Sequence, residues 1–235
     1  MSRIRTVLAF LFSVVVFGTV AVVAALSMGL LAIPLASSWP GWWGRACLWI
    51  AGIDVEFTGL EHLRGPGTRV LVANHTSALD VPLVAALSPG APLCLAKKEL
   101  QWFPVFNLVW WSHGQVFVDR RDPARAAASL ADVVSRCKAA SRTIILAPEG
   151  TRSRDGTLGR FKLGAFRLAL ATGAPIVPVV VRGAGSLMPP GRWFTRPGRV
   201  EVRVMPPVDT SGWTEDNLKA RATALEGAYR GWLEG

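Results

Sequence analysis

The sequence predicts an α/β fold in which a central, largely parallel sheet is flanked by helices and preceded by an N-terminal membrane-embedded helical hairpin. Two observations carry this reading. Short β-rich apolar runs alternate with helical patterns along most of the chain, which is the rhythm of strand–helix–strand units. Ahead of them, Val7 to Ala36 carries no charge, and a straight helix of that length would reach roughly 45 Å against a hydrocarbon core of about 30 Å. The run must therefore tilt, break or turn back, and Gly29 and Pro34 are the expected break points. The chain divides into a membrane-associated two-helix segment over residues 1–52 and a larger domain over 53–235.

The stretch SSWPGWWGRACLWIAG follows, with Trp39, Trp42, Trp43 and Trp49 around Arg45. It is too short to span a bilayer and has the aromatic character of an interface-lying helix. Arg3 and Arg5 precede the apolar run, and the positive-inside tendency holds them in the cytoplasm. A hairpin returns the rest of the chain to that side, whereas a single crossing would place it outside. A cleaved signal peptide is the alternative, but its apolar region is usually only about 7–15 residues.

Thr68 to Asn74 reads as a buried strand, and TSALDVPLVAALS as the loop and helix after it. APLCLAKK is a second strand ending in Lys97 and Lys98; ELQWFPVFNLVWW is an apolar segment interrupted by Pro104; Gly114 to Arg120 is a short strand. Asp122 as N-cap and Pro123 at the first helical position open the helix PARAAASLADVVSRCK. TIILA is a strand leading into PEGTRSRDG, FKLGAFRLALATG a helix closed by Gly173, and PIVPVVV the next strand. RVEVRV alternates like an edge or half-exposed strand, and TEDNLKARATALEGAYRGWL makes a final amphipathic helix. Ligands of open α/β sheets gather at the carboxyl ends of strands. His75, Lys97 and Lys98, Arg120 and the Glu149 to Arg152 loop each follow a strand, so parallel neighbours would bring them to one rim.

Composition narrows the chemistry. The 235 residues are 51% hydrophobic with a mean hydropathy of +0.34, above the usual apolar share of a soluble domain, so part of the surface is expected to face lipid. A net charge of +10 suits nucleic acid, anionic headgroups or a phosphorylated substrate. With a lipid-embedded end the last two are favoured and no nucleic acid partner is expected. Cys47, Cys94 and Cys137 are scattered, without CxxC or metal spacing. No GxSxG is present to supply a serine nucleophile, so a lone base implies direct attack by a substrate hydroxyl or water. HExxH and comparable metal sets are absent too, and no metal or organic cofactor is expected.

Two loops carry candidate chemistry. NHTSALD places His75 and Asp80 five apart, so a loop histidine can meet a carboxylate in the first helical turn, where Pro82 is also tolerated. A carboxylate bonded to one ring nitrogen leaves the other as a base. The bland alternative is that Asp80, or Ser77 with Asp80 as its acidic partner, simply caps the helix. PEGTRSRDG sets Gly150 between Glu149 and Thr151, followed by Arg152 and Arg154. Glycine allows close backbone approach, and the arginine fork grips phosphate. Glu149 would orient an arginine or meet a glycerol hydroxyl. The alternative is a solvated polar turn.

Together these residues resemble the glycerolipid acyltransferase family, specifically its bacterial 1-acyl-sn-glycerol-3-phosphate acyltransferases. The blocks appear in order: NHTSALD for NHx4D, KKELQWFPVFNLVWWSHGQVFVDR for the second, PEGTRSRDG for the third and IVPVVV for the fourth, where Pro178 shapes the site. The resemblance implies that His75 deprotonates the free sn-2 hydroxyl of lysophosphatidic acid and that Asp80 orients it. The acyl group would come from acyl-CoA or acyl carrier protein, giving phosphatidic acid. It further implies that Lys97, Arg120, Glu149, Gly150, Thr151 and Arg152 hold phosphate and glycerol. Such donors are cytosolic, which favours the hairpin and the cytoplasmic face of the cell membrane. Trp102, Phe103, Phe106 and Trp110 would line an acyl groove, face the headgroup layer or pack in the core. Asn107 and Ala147 depart from the family pattern and bear on the acyl pocket. Glycerol 3-phosphate, a lyso-ornithine lipid and a lysophospholipid are alternative acceptors, and a non-catalytic lipid-binding protein is the alternative of another class.

Overall fold

In the computed structural model, which describes residues 2–26, 39–88, 92–119, 121–153 and 155–234, strand β2 (Arg69–Ala73) is the axis of the molecule. It is buried throughout its length, and its side chains alternate between two cores as the strand period of two requires. Val70 and Val72 enter one core and Leu71 and Ala73 the other. Around it the described strands form one seven-stranded sheet in the order β1-β7-β6-β2-β5-β3-β4. Its other members are β1 (Ile53–Thr58), β3 (Leu93–Lys97), β4 (Val116–Val118), β5 (Thr143–Leu146), β6 (Ile176–Arg182) and β7 (Gly198–Val204). Every pairing is parallel except β6 with β7. This is the expected sheet, with two differences. IDVEFT was not expected to be a strand, and it supplies β1. Strand β7 has the expected alternating burial, but β1 covers it, so β7 is not an edge.

Helices cover both faces. On one face lie α5 (Pro123–Ala139), α6 (Gly164–Thr172) and α8 (Leu218–Glu234), with Val133, Phe166, Leu168 and Tyr229 in the core. Asp122 caps α5 by accepting from the amides of Ala124 and Arg125 at 3.0 and 3.1 Å, and Gly173 closes α6 at φ 63°. On the other face lie α2 (Trp39–Ala51) and α3 (Asp80–Leu87), joined where Gly44 lies against α3. A Cβ at Gly44 would stand 2.4 Å from the Pro82 carbonyl oxygen, so only glycine permits this approach. The short α7 (Ala184–Leu187) follows β6.

Pro178 removes an amide from the β6 ladder opposite Val72. The buried hydroxyl of Tyr229 fills the gap. It accepts from the Val179 amide at 3.0 Å and donates to the Val72 carbonyl. Burial pushes this phenol well above its ordinary pKa.

Helix α1 (Ser2–Leu26) packs on α2 and on α4 (Pro104–Ser112) through Val16, Val20, Trp39, Trp43, Cys47 and Val109. Trp39 and Trp43 are therefore buried; only Trp42 and Trp49 of that aromatic group are exposed. This corrects the picture of four interfacial tryptophans, because residues 39, 43 and 47 share one helix face and that face turns inward. The Trp39 indole donates to Nε2 of His113 at 2.8 Å, and Nδ1 of His113 lies 2.8 Å from the Val109 carbonyl. The network thus assigns the His113 proton to Nδ1, and burial lowers the pKa of this histidine. Gly29 and Pro34, the expected hairpin break, lie outside the described residues.

Candidate active site

Strand β2 ends at Ala73, and Asn74 ties its end to β6. The side-chain amide of Asn74 donates to the Val181 carbonyl at 2.9 Å, and its oxygen accepts from the Val181 amide at 2.8 Å. His75 comes next, at the carboxyl rim of the sheet. Its Nδ1 lies 2.8 Å from Oδ2 of Asp80, the first residue of α3. The same oxygen accepts from the amides of Thr76 and Ser77 at 2.8 and 2.9 Å. An ionised carboxylate only accepts, so the Nδ1 proton points at Asp80 and Nε2 keeps its lone pair. The His75 side chain is 28% exposed against 5% for Asp80, so the imidazole is open to the outside while its partner is enclosed. One carboxylate oxygen thus holds the loop amides and orients the imidazole, while the N-cap position of α3 falls on Leu79 with no side-chain cap.

The second loop comes from β5, the neighbour of β2, and clasps the first. The Ser153 amide donates to the His75 carbonyl at 2.8 Å. Oε1 of Glu149 accepts from the His75 amide, and Oε2 from the Gly159 amide, both at 2.8 Å. Glu149 is buried, and burial raises its pKa although both amides pull the other way. Both oxygens are engaged by main chain, so Glu149 is a strut between the loops. Gly150 has φ 72°, and a Cβ there would meet Lys162 Cδ at 3.0 Å, so the aliphatic stem of Lys162 lies across the glycine. Lys162, whose amide donates to the Pro148 carbonyl at 2.8 Å, is a cation at the site that the sequence reading missed. FKLG reads in sequence as part of a helix, but the helix begins only at Gly164, which leaves Lys162 in the loop. Thr151 and Arg152 are exposed on the same loop.

The remaining expected residues divide. Lys97 ends β3 on the same rim and pairs with Glu99 at 3.2 Å; Lys98 pairs with Asp119 at 3.1 Å. Arg120 lies outside the described residues. Phe106 and Trp110 stack with ring centroids 4.9 Å apart, whereas Trp102 and Phe103 project from the surface. A cavity of about 640 Å³ opens beside the His75 loop, lined by Asn74, Thr76, Val181, Arg182, Pro189 and Arg230 among others.

This geometry has counterparts. A family model described as Acyltransferase matches residues 54–182, from β1 to the end of β6. A 1-acyl-sn-glycerol-3-phosphate acyltransferase of Limnanthes douglasii is 33% identical over 186 residues, covering 79% of this chain and 66% of that protein. The alpha form of Mus musculus is 35% identical over 75% of this chain and 62% of its own length, and the Haemophilus influenzae protein is 30% identical over 76% and 73%. The alignments thus span just under two thirds of the length of the plant and mouse relatives. The crystal structure of a 1-acyl-sn-glycerophosphate (LPA) acyltransferase, PlsC, from Thermotoga maritima superposes with a TM-score of 0.74 at 28% identity, covering 98% of this chain and 96% of that one. Since the family model takes in the histidine, its carboxylate and the loop clasped to them, and the fold is shared along nearly the whole length, the chain belongs to the acyltransferase family.

Proposed function

We propose that this chain moves a fatty acyl group from acyl-CoA or acyl carrier protein to the free sn-2 hydroxyl of lysophosphatidic acid, forming phosphatidic acid at the cytoplasmic face of the cell membrane. The carrying observation is the 2.8 Å pair of His75 and Asp80, held by a glycine–arginine loop whose backbone bonds to that of His75 at the same distance. Nε2 takes the hydroxyl proton as the oxygen attacks the thioester carbonyl, and Asp80 steadies the imidazolium. When the tetrahedral intermediate collapses, the C–S bond breaks and the imidazolium returns its proton to the departing thiolate.

Arg152 and Lys162 supply positive charge for the phosphate, and the Gly150 backbone lets it approach closely. Lys97, at the end of β3 on the same rim, belongs to the same proposal, and Arg120 joins it by the resemblance of its motif alone. Membrane attachment is supported by α1, in which Ser2–Val23 is long and apolar enough to cross a bilayer. Its Ile4, Leu8, Leu11, Val15 and Val22 are exposed at intervals of three, four or seven, one lipid-facing stripe. In water each such side chain would forgo about 1.5–3 kcal/mol of burial. The test is product mass from purified protein in detergent, given a panel of lyso-acceptors and both donors. Acylation of glycerol 3-phosphate or a lysophospholipid in preference to lysophosphatidic acid would reassign the acceptor.

A further inference from the structure

The segment Pro189 to Pro197, between α7 and β7, carries Trp193 at 81% exposure and Phe194 at 42%. Arg192 and Arg196, both exposed, stand on either side of the pair. The segment is firmly seated for one that shows so much aromatic surface. Buried Thr195 is tied to α1: its amide donates to Thr6 Oγ1 at 3.0 Å, and the two hydroxyl oxygens lie 3.1 Å apart. The Arg196 amide donates to the Leu187 carbonyl at 2.9 Å, and the Gly198 amide to the Gly52 carbonyl at 3.2 Å. The aromatic pair is therefore presented from the first turns of α1, beside the start of its exposed apolar stripe. Arg3 places its guanidinium carbon 5.7 Å from the Phe194 ring centre. Among the described residues, Arg3, Arg5, Arg192 and Arg196 have no acidic partner within ion-pair distance.

Unpaired arginines call for anions, and an exposed tryptophan with a phenylalanine calls for an amphipathic layer; an anionic lipid surface supplies both. A soluble phosphate would satisfy the first and leave the rings in water. We propose that Pro189 to Pro197 is a second membrane contact, in which Trp193 and Phe194 enter the interfacial layer while Arg192 and Arg196 meet anionic headgroups. The base of the same segment reaches the candidate active site. Ser77, two residues from His75, donates through Oγ to the Met188 carbonyl at 2.9 Å, and Pro189 and Pro190 line the cavity there. The contact thus lies where a lysolipid leaving the bilayer would meet the rim; this last point alone rests on the proposed function.

The test uses the full chain with its three native cysteines replaced, a cysteine at position 193 (W193C) and an environment-sensitive fluorophore on it, reconstituted into vesicles. A control carries the label at Thr223, exposed on α8. In phosphatidylcholine vesicles containing phosphatidylglycerol, the label at 193 is expected to shift to the blue and to be quenched by lipid-borne quencher, while that at 223 is not. Equal behaviour of the two labels would overturn the contact, and equal depth at 193 in purely neutral vesicles would overturn the headgroup role of the arginines. With native cysteines, W193A/F194A is expected to lose several-fold in turnover of vesicle-borne acceptor and to keep its turnover in micelles. Unchanged turnover on vesicles would count against the contact. Loss of all acylation in micelles by the parent chain would instead strike the proposed function.

Discussion

The carboxylate of Glu149 and the backbone amide of His75 are joined by a 2.8 Å hydrogen bond across 74 residues of sequence. Because Oε2 holds Gly159 at the same time, Glu149 fixes the position of the histidine between two main-chain anchors. Glu149→Gln would turn an NH₂ toward one of these amides. Each buried donor left unpaired costs about 1–3 kcal/mol, so the variant is expected to melt a few degrees lower and to lose turnover. Thermal unfolding in detergent alongside single-turnover kinetics checks both.

His75→Ala is expected to abolish acyl transfer and leave membrane association intact. Asp80→Asn removes the acceptor that sets the imidazole tautomer and is expected to lower kcat by roughly 10³- to 10⁴-fold. Retained turnover in His75→Ala would discard the base assignment, and an unchanged kcat in Asp80→Asn would discard the orienting role.

Lys162→Ala and Arg152→Ala are expected to raise KM for the phosphorylated acceptor, with smaller changes in kcat. Hydrogen bonds to charged groups are worth about 1.5–3 kcal/mol, or roughly 10- to 150-fold in kcat/KM. An unchanged KM in both would place the phosphate elsewhere.

Tyr229→Phe strips the bridge at Pro178 and leaves the Val72 carbonyl and Val179 amide unmatched within the sheet. Two such groups correspond to a loss of about 2–6 kcal/mol. A fall in the melting temperature without a change in KM would identify the loss as one of stability; an unchanged melting temperature would refute the bridge.

The Trp39–His113 bond needs a neutral Nε2. Since the pKa of His113 is lowered in the fold, its contribution to stability is complete above the unfolded value, about 6.5, and declines as pH falls toward the folded one. Acidification from pH 7 to 5 is thus expected to loosen α1 and α2 from α4. Near-ultraviolet circular dichroism, compared between the parent and Trp39→Phe, reads the change.

The sheet and the two site loops were legible because their signals are local. The buried run at Arg69–Ala73, the Asp122–Pro123 start and the Gly173 stop are each written within a few residues. Strand β1 is the exception: Ile53, Val55 and Phe57 alternate with Asp54 and Glu56, and this half-polar pattern, with exposed or half-buried residues at most positions, is weakly marked beside a tryptophan-rich helix. The tasks of Glu149, Lys162 and Tyr229 depend on partners in other segments. Glu149 bonds amides 74 and 10 residues away, and Tyr229 reaches a strand 157 residues earlier. Spacing holds no trace of such contacts. The inward turn of Trp39 and Trp43 had a helical period behind it, but composition drew attention to tryptophan rather than to which face it occupies.

At Gly44 the aromatic helix rests backbone to backbone on the helix that begins with Asp80. On the proposed function, Nε2 of His75 therefore keeps a set height above whatever plane that aromatic helix occupies. In such an arrangement the proposed selectivity would be partly a matter of altitude: a hydroxyl on the carbon next to the phosphate-bearing one would be met at the level of the imidazole, and one carried deeper or farther out would pass it by.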